Sequence, residues 1–439
     1  MENIQKVAAA TAAMNPQIIQ YLKLFFAIAL VITGISLTIY AFKTRRSLAT
    51  PENIKMVQNT QLAQLNARWG GITQGNTGLD VAGGNIPSEQ RLLINTSVLG
   101  TRLVGYLGPY GSGAFDEDSA TRLALSTGAR CLVLEIDHEQ GAAEPLLIYR
   151  DAWGFKQSLN TGSILKVANS IAGRAFSPSN DSAPPAVASD PLFVVVYFVR
   201  TPNPATSPRD YIRFLGKVAE QLQPLAALGL NQTPQGDFRR QALESQMFFM
   251  PTQIFSKRII LMTNADTTPF RRLGPLGLAG EIGAKQDLDL LVHARLYSRE
   301  SPSGLGITSS PTSSTRPAAV ITTPQYWLAT PPDRLADAVA NTKQAWTLIM
   351  TPTADALSID SAKLKKLLEM YGVHCVPIPI FDSPQVTDVF TGRGSGPYNK
   401  ASWVYKPDLI RFIPPKPIVI QKPNPLTNAG GGTIVAPNF

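Results

Sequence analysis

Gly128 to Asp137 reads GARCLVLEID, a turn glycine followed by an apolar run that is broken only near its end by Glu135 and Asp137. An uninterrupted apolar run of this length, without strict alternation, fits a strand covered on both faces, the kind that builds parallel sheets. Asp118 to Thr127 ahead of it has helical composition, and the pattern of short apolar runs separated by helical stretches continues along the chain. Candidate strands are Leu92–Thr96, Cys131–Ile136, Leu146–Tyr149, Leu192–Val199, Arg258–Met262, Leu288–Ala294, Thr347–Met350 and Val373–Ile380. Candidate helices between them are Asp118–Thr127, Ser163–Ala175, Pro208–Ala227, Leu335–Thr342 and Ser361–Tyr371. Eight strands in one continuous α/β stretch of about 320 residues predict a closed (β/α)8 TIM-like barrel.

The 439 residues, 44% apolar and 16% charged, suffice for one large core. The net charge of +9 suits contact with anionic lipid or an acidic surface. The basic residues are scattered and not interleaved with aromatics, so nucleic acid is not an expected partner. Cys131 and Cys375 sit in apolar runs without CxxC spacing and read as small core residues, not as a disulfide framework or a zinc site.

Outside the barrel stretch, Leu24 to Phe42 (LFFAIALVITGISLTIYAF) is uncharged over 19 residues. As a helix it spans about 28 Å, close to the roughly 30 Å of a bilayer core, and is too long for a signal-peptide core. Lys6 and Lys23 precede the run, whereas Lys43, Arg45, Arg46 and Lys55 follow it, which predicts a cytosolic C-terminal body. Sequons at Asn95, Asn180 and Asn231 test that orientation. The expected organisation is an N-terminal segment (1–19), a transmembrane helix (20–43), a connector (44–90), a barrel (91–413) and an extended Pro-rich tail (414–439). In the connector, Met56, Leu62 and Leu65 recur at near-helical spacing before a Gly-rich loop. Ser177–Asp190 and Ser301–Pro317 are Pro/Ser/Thr-rich loops. The tail has six prolines and a Gly triplet, with Ile418, Val419, Ile420, Ile434 and Val435 as apolar anchors for a strap laid on a partner.

Several landmarks, in order, resemble the phosphoinositide-specific phospholipase C barrel. ARCLVLEID is similar to that family's second strand and EPLLIY (144–149) to its third, DLDLLVHA (287–294) opens its second half, and TPTADALSIDS (351–361) matches its Tyr-Pro segment. GVHCVPIPIFDSP (372–384) and YKPDLIRF (405–412) match its final strand and lysine-proline seal. The resemblance implies two histidines for general acid/base work. The first would fall at the end of strand one, where Asn95, Thr96, Ser97 and Val98 stand, and the second after EPLLI, where Tyr149 and Arg150 stand. It also implies calcium held by acidic ligands. Here the second strand offers Val133 and Glu135, or Glu135 and Asp137 with a register slip of two, and the fourth ends in Val199 and Arg200. The phosphate-gripping positions become Thr263, Ala265 and Ile349.

The expectation is therefore a catalytically dead barrel without metal or cofactor. It would be a membrane-anchored structural protein that contacts the bilayer through residues 20–43 and other proteins of an assembly. A large DNA virus with an internal membrane is a setting that fits, the chain then being a virion membrane or minor capsid protein that links membrane to shell. The alternative is a membrane-bound phosphodiesterase or phosphoinositide head-group binder that uses Glu135, Asp137 and His138, with Arg150 and Arg200 gripping an anion. His293 and His374, in or beside apolar strands, read as core residues, and no GxSxG elbow, P-loop or HExxH motif occurs.

Overall fold

Cys131–Asp137 is a strand with all seven residues buried, and its side chains alternate between two cores. Cys131 and Val133 join Phe193, Val195, Ile260, Met262 and Leu348 in one apolar cluster, while Leu132, Leu134 and Ile136 join Val194, Val196, Ile259 and Leu261 in another. The first fills the inside of a barrel; the second lies between the staves and the surrounding helices. This two-fold alternation sends Glu135 and Asp137 to the inner side.

This is a computed structural model that describes residues 16–69, 77–139, 142, 144–178, 183–229, 246–298, 305, 317–354, 359–382, 397, 398 and 400–415. Its strands are β1 (Thr96–Val98), β2 (Gly100–Arg102), β3 (Cys131–Asp137), β4 (Leu146–Leu147), β5 (Leu192–Phe198), β6 (Ile259–Thr263), β7 (Ala294–Ser298), β8 (Ala319–Thr322), β9 (Trp346–Ile349) and β10 (Trp403–Tyr405). Parallel pairing runs β2-β3-β5-β6-β7-β8-β9. The extended segment 373–378 closes the ring as the eighth stave. It bridges β9 in parallel at Leu348 and Cys375, with Ile349 N donating to Cys375 O at 2.9 Å, and it reaches β2 through Ile378 N and Gly100 O at 3.1 Å. The fold is α/β and TIM-like.

Helices cover the staves as crossovers. Glu117–Ser126 is capped by Asp116, whose carboxylate accepts from Ser119 N, and Ile164–Arg174 is capped by Ser163. Pro208–Gln221 and Leu335–Thr342 follow β5 and β8. Below the N-terminal ends of the staves, β1 and β10 form an antiparallel ribbon, and Phe193, Phe248, Trp346 and Trp403 stack into an aromatic floor, Phe193 and Trp346 at 4.8 Å.

Several strands differ from the reading. Leu92–Thr96 ends in a helical turn, Leu93–Asn95, and the first stave begins only at Gly100. Leu146–Leu147 pairs antiparallel with β3 and lies off the ring, because the eight residues after Asp137 are fewer than the dozen or so a parallel crossover needs. Within Leu288–Ala294, Asp287 accepts from Leu290 N and caps a helical turn, Leu288–Leu291, so β7 starts at Ala294. Pro377 and Pro379 remove ladder donors from the last stave, leaving a single bridge there. Ala319–Thr322 is a stave between β7 and β9 that is not among the expected strands. In the last crossover, the α-helix stops at Lys365 and a π-helical turn covers Lys366–Met370.

Two long helices precede the barrel among the described residues. The first, α1, runs from Pro16 to Leu48, contains a candidate span at Gln20–Leu37, and buries none of that span. It is the one helix among the described residues long and apolar enough to cross a bilayer. The second, α2, covers Pro51–Trp69 and starts on Thr50, whose hydroxyl accepts from Asn53 N at 3.4 Å. It buries Gln61, Leu65 and Trp69 and leaves Met56 exposed. Met56 therefore stands outside the contact face that its spacing suggested.

Candidate functional site

Barrels carry their sites at the C-terminal ends of the strands. Here that end gathers Arg102 from β2, Glu135 and Asp137 from β3, Tyr197 and Arg200 from the end of β5, and Thr351 just past β9. Asn95 to Val98 lie at the opposite end, in the floor, which corrects the expectation that they end the first stave. Arg102 takes that place. Asn95 is buried, its amide donating to Gln90 O and Phe412 O and accepting from Phe412 N at 2.7 Å.

Arg102 is completely enclosed. Its Nε donates to Glu135 Oε1 at 2.6 Å, and Nη1 donates to Thr351 Oγ1 at 3.1 Å and Thr351 O at 3.2 Å. Burial opposes the guanidinium charge, but the charge of and hydrogen bond to Glu135 outweigh it, and the pKa is raised. Nη2 has no hydrogen-bond partner among the described residues. Tyr106, Tyr110, Phe115, Tyr149 and Phe381 form a cluster of contacting rings, with Tyr106 and Phe115 4.9 Å apart and Tyr110 and Phe381 5.1 Å apart. Tyr110 Oη donates to Asp382 Oδ2 at 2.9 Å, and burial followed by that carboxylate pushes the phenol pKa up.

The structure brings Asp137, Arg150 and Arg200 together. Arg200 donates from Nε to Asp137 Oδ1 and from Nη2 to Oδ2, both at 2.7 Å, and Arg150 Nε donates to Oδ2 as well. Asp137's side chain is fully buried, whereas that of Arg200 is half exposed. Arg150 also reaches Glu139 at 3.4 Å. Counting Arg102 with Glu135, three arginines here face three carboxylates, so these six charges balance among the described residues. Among the described residues no group of three His, Cys, Asp or Glu could hold a metal.

His138 stands apart from this cluster, packed edge-on against Phe214 at 5.2 Å in a roughly 250 Å³ groove lined by Glu139, Glu144, Asp210, Arg213 and Lys217. Asp210 and Glu144 are engaged there by Arg213 and Lys217. His293 and His374 are buried at the floor end, where their Nδ1 atoms accept from Leu261 N and Thr347 N, each at 2.9 Å. Thr263 bonds back to Val196 O, and Ile349 is buried in the outer core. The strap residues Ile418, Val419, Ile420, Ile434 and Val435 lie outside the described residues, as do Asn180 and Asn231. Arg102 was missed because Gly100–Arg102 (GTR) has no apolar run; the one signal was an arginine followed at once by a new turn.

No family model and no curated protein matches the chain. Among solved structures it is similar to L. pealei PLC21, at 16% identity and TM-score 0.47, and to S. officinalis PLC21, at 15% and 0.49; each match covers 73% of this chain and 38% of that one. It is similar also to a calcium-dependent phosphoinositol-specific phospholipase C from Pseudomonas sp, at 10% identity and TM-score 0.40, covering 73% of this chain and 97% of that one. The chain spans well under half the length of the first two. The barrel itself rests on the strand pairing described above.

Proposed function

We propose that this chain is a membrane-anchored structural protein whose barrel serves as a rigid body for contacts with other proteins and performs no phosphodiester chemistry. The observation that carries this reading is the engagement of Asp137 by both Arg150 and Arg200. Three guanidinium hydrogen bonds take three of the roughly four acceptor sites of this carboxylate, which leaves it little capacity for a metal or for proton transfer. The buried Arg102–Glu135 pair supports the same reading. Helix α1 would hold the chain in a bilayer, with the barrel on the cytosolic face. A particle with an internal membrane beneath a protein shell is the setting this design suits, the chain linking the two as a minor capsid protein.

A second reading, a head-group binder, has one observation in its favour: the enclosed Nη2 of Arg102, which lacks a partner among the described residues. Against it, Arg150 and Arg200 are already engaged by Asp137, and Arg150 by Glu139 as well. The test is to reconstitute the full chain in vesicles containing phosphoinositides, with and without calcium. The structural reading expects no release of inositol phosphates and no dependence of vesicle properties on the head group. Calcium-dependent turnover would overturn it.

A further inference from the structure

Asp190–Pro191 is the one Asp-Pro bond in the 439 residues. Toward acid such a link is labile, because the aspartate carboxyl can close a five-membered ring on its own carbonyl carbon and the proline nitrogen departs as a basic secondary amine. The fold places two further features around it. Arg130, fully buried just before β3, donates from Nη2 to the Asp190 carbonyl oxygen at 2.8 Å, and its other contacts are the carbonyls of Val187 and Ala175 at 2.6 and 2.8 Å. No carboxylate takes a hydrogen bond from Arg130 among the described residues, so its charge falls on carbonyl oxygens, as in an oxyanion hole. On the side-chain side, Leu79 N donates to Asp190 Oδ2 at 3.1 Å, and a Cβ at Gly78 would stand 3.1 and 3.3 Å from the two carboxyl oxygens. This packing of the connector shields the carboxyl from water, and burial lifts its pKa to about 6 against the pull of Arg130.

We propose that the folded chain cuts itself between Asp190 and Pro191, with the Asp190 carboxyl as nucleophile and Arg130 as the oxyanion donor. Oδ1, the oxygen not held by Leu79 N, forms a bond to the Asp190 carbonyl carbon. Negative charge develops on the carbonyl oxygen against Arg130 Nη2, and the carboxyl proton passes to the Pro191 nitrogen. The C–N bond then breaks, leaving a cyclic anhydride on residue 190 and a free amine on Pro191. One water opens the anhydride to two carboxyls, so the sum is hydrolysis of a single peptide bond. The charged and titratable groups around the carboxyl are Arg130 from before β3, the exposed Asp80 from the helical turn Leu79–Ala82, and Tyr405 from β10. Arg130 and Tyr405 keep their protons in acid, so the Asp190 carboxyl sets the pH dependence and the cut is favoured as pH falls through its pKa. The cut separates residues 1–190, with the anchor and the first two staves, from residues 191–439. Pairing of β5 with β3 on one side and β6 on the other holds the two pieces together.

The full chain in detergent is incubated at about pH 5.5 and about pH 8, and the products are read by intact mass and N-terminal sequencing. The expected result is a fragment that begins Pro191-Leu192-Phe193 and forms at least about ten-fold faster at the lower pH. Asp190→Asn, which keeps an acceptor for Leu79 N, should not form it. Arg130→Gln should slow it by about 100-fold. The parent chain unfolded in urea at the lower pH separates the fold's contribution from the intrinsic lability of the bond, and decides the matter if the Arg130 variant fails to fold. The unfolded chain should be cut at least about ten-fold more slowly, because Arg130 and burial act on the bond only in the fold. Equal rates in the folded and unfolded chains overturn the proposal, as does a cut at another bond. So does a chain that stays intact for days at the lower pH while circular dichroism shows it folded.

Discussion

Lys406 Nζ lies 2.9 Å from His374 Nε2 in the barrel floor, and both residues are buried. The protonation of the pair follows from its neighbours. Thr347 N points at Nδ1, so Nδ1 accepts, and in a neutral ring Nε2 carries the hydrogen, directed at Ile94 O at 2.9 Å. An ammonium at Nζ would then face an N–H. The geometry is consistent when Lys406 is a neutral amine that donates to Thr342 O at 3.0 Å. Burial, followed by the charge of Lys343, lowers the Lys406 pKa; burial above all lowers that of His374, and a proton on Lys406 would lower it further.

A pH dependence follows, with its sign fixed. Both groups are bases whose folded pKa lies below the unfolded one, so below 10.5 for Lys406 and below 6.5 for His374 the unfolded chain binds more protons. Stability contributed by the floor therefore rises with pH and is lost on acidification. Calorimetry in detergent should show the unfolding midpoint climbing as the pH rises towards 10.5, the value at which the lysine of the unfolded chain loses its proton. Lys406→Met should flatten that climb; an unchanged slope means that the amine is charged in the fold.

Asp190 acts in the opposite direction. Burial raises its pKa from 3.8 to about 6, even though Arg130 and a hydrogen bond from Leu79 N oppose the shift. The folded chain holds the proton longer than the unfolded one, so this group's contribution falls as pH rises from about 4 to about 6. Asp190→Asn should remove that fall while keeping an acceptor for Leu79 N. The check is the difference between the stability curves of variant and parent across this window.

The Arg102–Glu135 pair makes a prediction that separates a plug from a catalytic group. Glu135→Gln leaves an enclosed guanidinium without its counter-charge, and breaking a buried pair in this way costs about 3–5 kcal/mol. Arg102→Met combined with Glu135→Leu removes both charges and should recover most of that loss. Urea unfolding of Arg102→Met, Glu135→Leu and the double variant completes the cycle. Additive losses would mean that the two side chains do not act as a pair.

The elements that could be read from sequence are those whose burial is uniform along the chain. Cys131–Asp137 and Leu192–Phe198 are seven-residue strands buried throughout, and Leu335–Thr342 has the bounds its periodicity suggested. The elements that escaped reading depend on distant partners. Gly100–Arg102 carries no apolar signal and is a stave only because β3 and segment 373–378 flank it. At the site, Asp137, Arg150 and Arg200 could be picked out one by one from the C-terminal ends of the strands. Their pairing joins residues 13 and 63 positions apart, which local pattern does not encode. The same holds for the second reading of Arg150 and Arg200 as an anion grip, which depends on a carboxylate contributed by another strand.

Gly100 tests the closure of the barrel. It is the register partner of Cys131 on one side, and on the other the chain of Cys375 runs beside it. A Cβ added at Gly100 would overlap Cys375 Sγ and stand 3.3 Å from the Cys131 Cβ. Its backbone is not in the left-handed region, so any loss in Gly100→Ala comes from crowding and not from strain. Overpacking a barrel interior typically costs about 1–3 kcal/mol. Cys375→Ala alone removes a buried sulfur and should also destabilise the fold. In the double variant the alanine at 100 occupies the space the sulfur left, so the two losses should be clearly less than additive. That compensation requires the first and last staves to be neighbours. If urea unfolding gives strictly additive losses, the two are not in contact and the ring is open at that seam.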